Sequence, residues 1–205
     1  MIKWHVDDAY KVLRKDPVMK NIIKSTGKLT THRSNDVYFS MLRSITSQQL
    51  STKAADTIFN RFLNLFPDGD PQPEIVRKMN LDMLRSVGLS YSKGQYLKNI
   101  ADFSVTHGLE YRKLNKMNDD DLIGYLTQIK GVGRWTAEMI LMFTMNRPDV
   151  LPVDDLGIRH AMIHHYKLKG DGKKLIERIH EVAEVWRPYR TLACRHLWRY
   201  RDKSS

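Results

Sequence analysis

The stretch LTQIKGVGRWTAEMI, residues 126–140, predicts two helices joined by a tight glycine hairpin. The first helix ends near Ile129, and the second begins at about Gly133 or Arg134. Glycine at positions 131 and 133 permits positive φ angles and lets a foreign backbone approach without meeting a Cβ atom. Main-chain N–H groups at a helix start can bind a phosphate. A C-cap glycine between two helices would give the same pattern, so the hairpin alone leaves both readings open.

A second stretch, VLPVDDLGIRHA at residues 150–161, brings two adjacent aspartates to the start of another predicted helix. An aspartate at this position commonly caps the helix, and the helix dipole stabilises a carboxylate there. Two in succession suggest that one caps the helix while the other points elsewhere and stabilises positive charge. Taken alone, a pair of aspartates before a helix is usually only a cap.

Helical spacing of apolar residues dominates the rest of the chain, and strand signals are sparse. We predict helices over residues 7–14, closed by Asp16-Pro17, and over residues 36–46 and 51–65. Shorter helices are predicted to begin at Pro73, Leu81, Ser92, Asn118, Gly133, Asp155, Lys173 and Tyr189. The pattern predicts an all-α fold of about ten helices, and 205 residues suit one compact domain or two closely packed lobes.

Charge is the strongest signal in the composition. The chain has 34 Lys and Arg against 23 Asp and Glu, a net charge of +11, which favours a polyanionic partner such as nucleic acid, although a merely basic enzyme would share it. No apolar run approaches the roughly 18 residues of a membrane span. The N-terminus shows no apolar leader, and the single cysteine, Cys194, excludes an intramolecular disulfide and an all-cysteine metal site. These features predict a reducing compartment.

Hairpin glycines followed about twenty residues later by Pro-Val-Asp-Asp resemble the helix–hairpin–helix DNA glycosylase superfamily, and within it the alkylation-repair branch, the 3-methyladenine DNA glycosylase II group. Three further stretches agree with this resemblance. ITSQQLS at 45–51 resembles the family's Gln-Gln turn, VGLSYSK at 87–93 the stretch after it, and 186–198 the C-terminal helix. The resemblance covers about residues 35–200 in five ordered motifs.

The resemblance implies an all-α fold in two packed lobes, with a helix–hairpin–helix motif and a DNA-facing cleft between the lobes. A single domain over residues 1–205 would have a central helical lobe at about 35–140 and a second lobe from 1–34 plus 141–205. The implied partner is double-stranded DNA containing damaged bases. We expect a monomer without membrane association, located in the cytoplasm with the nucleoid if the source is bacterial and in the nucleus if it is eukaryotic.

The implied activity is base-excision repair: the enzyme flips an alkylated purine, of the 3-methyladenine or 7-methylguanine type, out of duplex DNA and hydrolyses its N-glycosidic bond. Asp155 matches the family's catalytic carboxylate, which leaves Asp154 as the expected helix cap. Family members that also nick the strand carry a lysine at the position of Trp135, and its amine forms a Schiff base. Without that amine, we expect base release with no lyase step.

Trp135 and Trp198 match aromatic positions that line the base pocket of the family. Stacking grips a flipped base, and a cationic alkylated base gains cation–π attraction as well. Core packing is the alternative role for both tryptophans. Met139 and Leu156 stand where the bacterial type enzyme has tyrosines, which implies a less aromatic pocket.

DNA contacts are implied at the hairpin and at the Gln-Gln turn. The hairpin residues are Gly131, Val132, Gly133 and the adjoining Arg134, and the turn residues are Gln48, Gln49 and Ser51. Gln49 is the candidate for the wedge that fills the space left by the flipped nucleotide. Lys53 and Lys93 are candidate phosphate contacts, with a solvated surface charge as the alternative for each.

No cofactor is expected to be required. In relatives a monovalent cation often lies beneath the hairpin on main-chain carbonyls, which here would come from Thr127, Ile129 and Val132. A metal site at His160 and His164 is disfavoured, because no acidic partner accompanies them.

Two other functions remain open at this stage. A non-catalytic helix–hairpin–helix module would bind the DNA backbone without needing Asp155 or the two tryptophans. A bifunctional glycosylase with lyase activity, acting on another lesion, would form a covalent product that borohydride traps.

Overall fold

The computed structural model describes residues 4–30 and 34–204, with side chains described as far as residue 200, and the regular secondary structure in this part of the chain is entirely helical. Its α-helices are α1 (Val6–Leu13), α2 (Pro17–Thr26), α3 (Val37–Ser47), α4 (Thr52–Leu63), α5 (Pro73–Val76), α6 (Leu81–Ser86), α7 (Tyr91–His107), α8 (Tyr111–Leu114), α9 (Asp119–Leu126), α10 (Arg134–Met139), α11 (Leu156–Tyr166), α12 (Gly172–Glu184) and α13 (Arg190–Ser204). A π-helical segment, Ile140–Thr144, continues α10. The predicted all-α class is confirmed, with thirteen α-helices in the described residues where about ten were predicted.

The chain divides into two compact units, Met1–Arg33 with Leu141–Ser205, the first unit, and Ser34–Ile140, the second unit. Helices α1, α2 and α11–α13 belong to the first unit, and α3–α10 belong to the second. Residues 1–3, 31–33 and 205 of the predicted second lobe lie outside the described part of the chain. Among the described helices, none combines the length and the apolar character that crossing a bilayer would require.

In the first unit, α13 packs on α2 and α11 around a buried polar chain. Thr26 Oγ1 lies 2.6 Å from His196 Nδ1, and His196 Nε2 lies 3.2 Å from the Tyr10 hydroxyl. Thr26 also donates to the carbonyl of Ile22 at 2.8 Å, so His196 Nδ1 is the donor to Thr26. His196 is fully buried, and this burial lowers its pKa to about 4. These hydrogen bonds therefore link α1, α2 and α13 through a neutral histidine.

Helix α2 was missed from the sequence because Asp16-Pro17 was interpreted as the end of α1. Proline at the first helical position loses no hydrogen bond, and an aspartate before it makes a good cap. Asp16 caps α2 by accepting from Val18 N at 2.8 Å. Its second carboxylate oxygen accepts from the Tyr166 hydroxyl at 2.6 Å and from Trp186 Nε1 at 2.8 Å. One carboxylate thus caps α2 and links it to Tyr166 and Trp186, which are at least 150 residues away in the sequence.

The second unit is organised around α7, its longest helix, which packs against α3, α5 and α6. Leu97 and Ile100 of α7 are fully buried, as are Phe59 and Phe62 of α4. Removing this apolar surface from water is the main stabilising contribution to the unit. Two short connections of this unit, the α3–α4 turn and the α9–α10 hairpin, carry predicted DNA-contact residues.

Candidate active site

Asp155 is the residue immediately before α11 and forms its N-cap. Its Oδ1 accepts from Ile158 N at 2.8 Å and from Trp198 Nε1 at 2.9 Å. The two donors come from different helices, so they fix both the position and the rotation of the half-buried carboxylate. Such a fixed charge suits a site that must stabilise a developing cation.

The prediction that Asp154 caps the helix is wrong. The capping oxygen must reach an amide in the first helical turn, and only the residue directly before Leu156 is placed to do so. Asp154 instead pairs with Arg159, with 2.6 Å between Oδ1 and the guanidinium nitrogen. The capping role and the predicted catalytic role therefore fall on one side chain, Asp155.

Trp198 does more than present an aromatic face. Its ring stacks on Phe143, with centroids 5.7 Å apart and planes inclined by 29°, while its indole N–H holds Asp155. Phe143 is 44% exposed, and Arg195 lies over it at 5.7 Å from the ring centroid. Burial lowers the pKa of Arg195.

Phe143 was not singled out from the sequence. The available signal was its spacing: Trp135, Met139 and Phe143 recur every four residues, the spacing of one helix face. The predicted pocket residue Leu156, also in the first unit, is 66% exposed at the start of α11. An exposed leucine is not unusual by itself, but this one directly follows Asp155, whose carboxylate caps α11.

The hairpin between α9 and α10 uses its two glycines differently. Gly131 has φ +104°, and a Cβ there would lie 2.2 Å from a ring carbon of Tyr96, so the fold itself requires glycine. Gly133 caps α10 with an ordinary φ of −88°, and a Cβ there would meet nothing within 4 Å. Internal packing does not require glycine at position 133, which fits the predicted close approach of another molecule's backbone.

Helix α10 carries the two predicted pocket residues of the second unit, Trp135 and Met139, and the predicted DNA contact Arg134. Trp135 is 36% exposed, in contrast to the fully buried Trp186, and Met139, one turn further along α10, is half-buried. Arg134 Nε lies 3.0 Å from Glu138 Oε1, whose side chain is only 3% exposed. The buried Glu138 carboxylate therefore orients the Arg134 guanidinium, whether or not Arg134 contacts DNA.

The Gln-Gln turn joins α3 to α4 and is exposed from Gln49 onward. Gln49 has φ +58°, a left-handed conformation that is uncommon for residues other than glycine. Ser51 caps α4 by accepting from Ala54 N at 3.3 Å, and Lys53 is exposed in the next turn. Gln48 Nε2 donates to Thr136 Oγ1 of α10 at 3.1 Å.

Lys93 lies in the first turn of α7 and reaches back to this turn. Its Nζ donates to the carbonyls of Thr46 at 2.9 Å and Gln48 at 2.7 Å. Burial lowers the pKa of Lys93. Its ammonium thus binds the protein main chain, an arrangement that the predicted phosphate contact did not anticipate.

The positive charge is unevenly divided between the two units. The first unit has 21 Lys and Arg against 11 Asp and Glu, and the second has 13 against 12. Net charges of +10 and +1 follow. The hairpin and the turn belong to the nearly neutral unit.

A classical metal centre finds no support in the part of the chain that the structure describes, where no three His, Cys, Asp or Glu side chains form a metal-binding group. Cys194 is buried. Of the carbonyls considered for a monovalent cation, that of Ile129 accepts from Val132 N at 2.9 Å and shapes the hairpin.

Comparison with known proteins places the chain in a family. Residues 42–188 match the model of the "HhH-GPD superfamily base excision DNA repair protein" family. The chain belongs to this superfamily, and the membership predicted from its motifs is confirmed.

Individual relatives agree. DNA-3-methyladenine glycosylase 1 of Schizosaccharomyces pombe is 37% identical over 189 residues, 90% of this chain and 82% of that protein. Alkylbase DNA glycosidase-like protein mag2 of the same organism is 31% identical over 202 residues, 94% of each chain. The solved structure of the S. pombe 3-methyladenine DNA glycosylase Mag1 in complex with abasic DNA has a TM-score of 0.82 and 36% identity, covering 93% of this chain and 95% of that one.

Proposed function

We propose that this chain is a base-excision-repair DNA glycosylase that flips alkylated purines, of the 3-methyladenine and 7-methylguanine type, out of duplex DNA and hydrolyses their N-glycosidic bonds. The enzyme class predicted from the sequence, a DNA-3-methyladenine glycosylase, is confirmed by relatives of that name at 31–37% identity. The observation that carries the mechanism is the Asp155 carboxylate, fixed at the start of α11 by a main-chain amide and an indole N–H.

One carboxylate is enough for this reaction. Breaking an N-glycosidic bond develops positive charge on the sugar, and most sugar hydrolases use a second carboxyl group to protonate the leaving group. An N-alkylated purine already carries positive charge, so it leaves without a general acid. Asp155 then stabilises the cationic sugar and orients the attacking water. Its two donors hold it in place before the charge develops, so little reorganisation is needed.

Aromatic side chains provide selectivity for a cationic base. A positive charge over an aromatic face is attracted to the ring quadrupole, more strongly when water is excluded. Phe143 and Trp135 are both partly exposed, and Phe143 lies against the tryptophan that holds Asp155. Damaged pairs are also weaker than intact ones and flip at lower cost.

The absence of a lyase step follows from Trp135. A Schiff base with the sugar requires a primary amine, and the indole of Trp135 has none. We therefore propose a monofunctional enzyme that leaves an abasic site in an uncut strand.

Duplex DNA with damaged bases is the proposed partner. In the second unit the hairpin amides around Gly131–Gly133 bind a phosphate and the Gln-Gln turn enters the minor groove. The net charge of +10 on the first unit supplies long-range attraction. We further propose that the protein acts as a monomer where the DNA is, in a nucleoid or a nucleus.

A structural monovalent cation at the hairpin is also proposed, on the carbonyls of Thr127, Ile129 and Val132. The donor set is chemically suitable, because main-chain carbonyl oxygens are the hard ligands that such cations prefer. The cation would stiffen the hairpin and would take no part in bond breaking.

The test is release of free base from methylated duplex DNA, with Asp155→Asn and Asp154→Asn compared side by side. Asparagine caps a helix as well as aspartate does, so Asp155→Asn keeps the fold but loses the charge. We expect it to lose nearly all base release while binding DNA normally. Asp154→Asn removes only the pair with Arg159 and should retain release.

Three outcomes would contradict the proposal in different ways. Near-wild-type turnover by Asp155→Asn would remove Asp155 from the mechanism. Tight DNA binding without release of any alkylated base would favour the non-catalytic module. Strand cleavage with borohydride trapping would establish a lyase.

A further inference from the structure

The turn Gln48–Ser51, here called the glutamine turn, is weakly supported by packing. A cavity of about 220 Å³ lies against it, with Leu50, Ile58 and Gly88 among its lining residues. Gln49 stays in the left-handed region although it has a Cβ, and such a conformation persists only where the surroundings enforce it. Something other than close packing must therefore hold the turn.

Lys93 provides one such restraint. The last carbonyls of a helix have no partner within the helix, and a lysine can satisfy them while complementing the helix dipole. Nζ of Lys93 does so at the end of α3, with bonds of 2.9 Å to the Thr46 carbonyl and 2.7 Å to the Gln48 carbonyl. Ser90 caps α7 by accepting from Lys93 N at 3.2 Å and so fixes the helix turn that carries Lys93. Ser90 and Lys93 line the same cavity as the glutamine turn.

A second restraint comes from α10. The Gln48 side chain donates to Thr136 Oγ1 at 3.1 Å, and Thr136 is almost completely buried. The main chain of Gln48 is thus held by α7 and its side chain by α10. Gln49, the next residue, is exposed. Its orientation is set by Gln48, whose main chain and side chain are both held.

We propose that Lys93 is a positioning residue for base flipping: its ammonium holds the glutamine turn in the shape that lets Gln49 enter the DNA, and it is not a phosphate ligand. This inference rests on the proposed function, because it assigns the turn to the flipping step. Lys93 acts through Gln49 and touches neither the base nor the sugar.

The two roles predict different measurements. A phosphate ligand contributes to counterion release, so its removal weakens binding and lowers the slope of log K against log salt by about 0.9. A positioning residue leaves that slope unchanged. Its loss instead slows base release at saturating protein, because a misplaced group can cost up to about 10²-fold in rate.

The experiment compares Lys93→Met, Lys93→Arg and Lys98→Met. Methionine keeps the apolar stem and removes the donors, and arginine keeps donors and charge. Lys98 is the matched control, since it lies on the same helix and also donates to a carbonyl, that of Met79, which is not part of the turn. Single-turnover release from methylated duplex DNA, the salt dependence of binding and amide hydrogen exchange of residues 48–51 in the free protein are measured for each.

We expect Lys93→Met to lower the maximal release rate by about tenfold or more, with an unchanged salt slope and faster exchange in the glutamine turn. Lys93→Arg should recover protection and most of the rate, and Lys98→Met should match the wild type. Wild-type exchange in Lys93→Met, or a full release rate in that variant, would overturn the inference, and a salt slope reduced by about 0.9 would identify Lys93 as a phosphate ligand instead. Failure of the proposed function looks different: the wild-type protein would itself release no alkylated base.

Discussion

Replacing Trp198 with phenylalanine isolates the hydrogen bond that orients the candidate catalytic carboxylate. The change removes the indole N–H that donates to Asp155 Oδ1 at 2.9 Å but retains an aromatic ring against Phe143. A hydrogen bond to a charged group contributes about 1.5–3 kcal/mol. If the transition state depends fully on that bond, the rate of base release falls by roughly 10- to 150-fold, because each 1.36 kcal/mol is a factor of ten.

The assay is single-turnover release of 3-methyladenine at saturating protein, with DNA affinity measured in parallel. We expect Trp198→Phe to reduce the rate within that range and leave affinity nearly unchanged, because Ile158 N still donates to the carboxylate. Phe143→Leu is the matched variant: it removes the stacking partner and keeps the hydrogen bond, so any loss it causes reports on aromatic contacts. A Trp198→Phe rate within twofold of the wild type would refute the claim that the indole N–H positions Asp155 for catalysis.

Two further predictions concern stability and the hairpin. Burial lowers the pKa of His196 to about 4, and the unfolded chain, with a pKa near 6.5, binds its proton first as pH falls. The free energy of unfolding should therefore be highest above pH 6.5 and decline by about 3 kcal/mol between pH 6.5 and 4. Urea unfolding across this pH range measures the decline. His196→Gln should make the free energy of unfolding nearly independent of pH in the same range. Gly131→Ala should destabilise the protein by at least about 2 kcal/mol, because of its φ of +104° and the Tyr96 ring. Gly133→Ala should change stability by less than about 0.5 kcal/mol yet weaken DNA binding, and thermal melting with binding isotherms separates the two; equal effects of the two substitutions would contradict the assigned roles.

Local sequence signals located the two functional helix starts closely. The second hairpin helix was predicted from Gly133 or Arg134 and begins at Arg134, and the helix after the paired aspartates begins at Leu156. Both predictions rest on capping and turn chemistry, which depend on a few neighbouring residues. The same local logic failed at Pro17, because proline is compatible with a helix end and with a first helical position alike.

Partners that are distant in the sequence could not be predicted in this way. Trp198 and Asp155 are 43 residues apart, and Lys93 is 45 residues from Gln48. Nothing near Trp198 distinguishes a base-stacking ring from a hydrogen-bond donor to a carboxylate, and nothing near Lys93 distinguishes a phosphate ligand from a main-chain ligand. The choice of cap between Asp154 and Asp155 also depended on which residue directly precedes the helix.

The same arrangement recurs in both units: a residue with a proposed chemical role is held by a donor from another helix of its own unit. Asp155 is held by Trp198, and the glutamine turn by Lys93. A single-carboxylate mechanism makes such restraint necessary. Without a general acid, the rate depends on how well one carboxylate is oriented toward the cationic sugar. A carboxylate that rotated freely would point away from the sugar part of the time. Flipping has the same dependence, because a wedge residue on a loose turn would enter the duplex in many orientations and stabilise the extruded base in few of them.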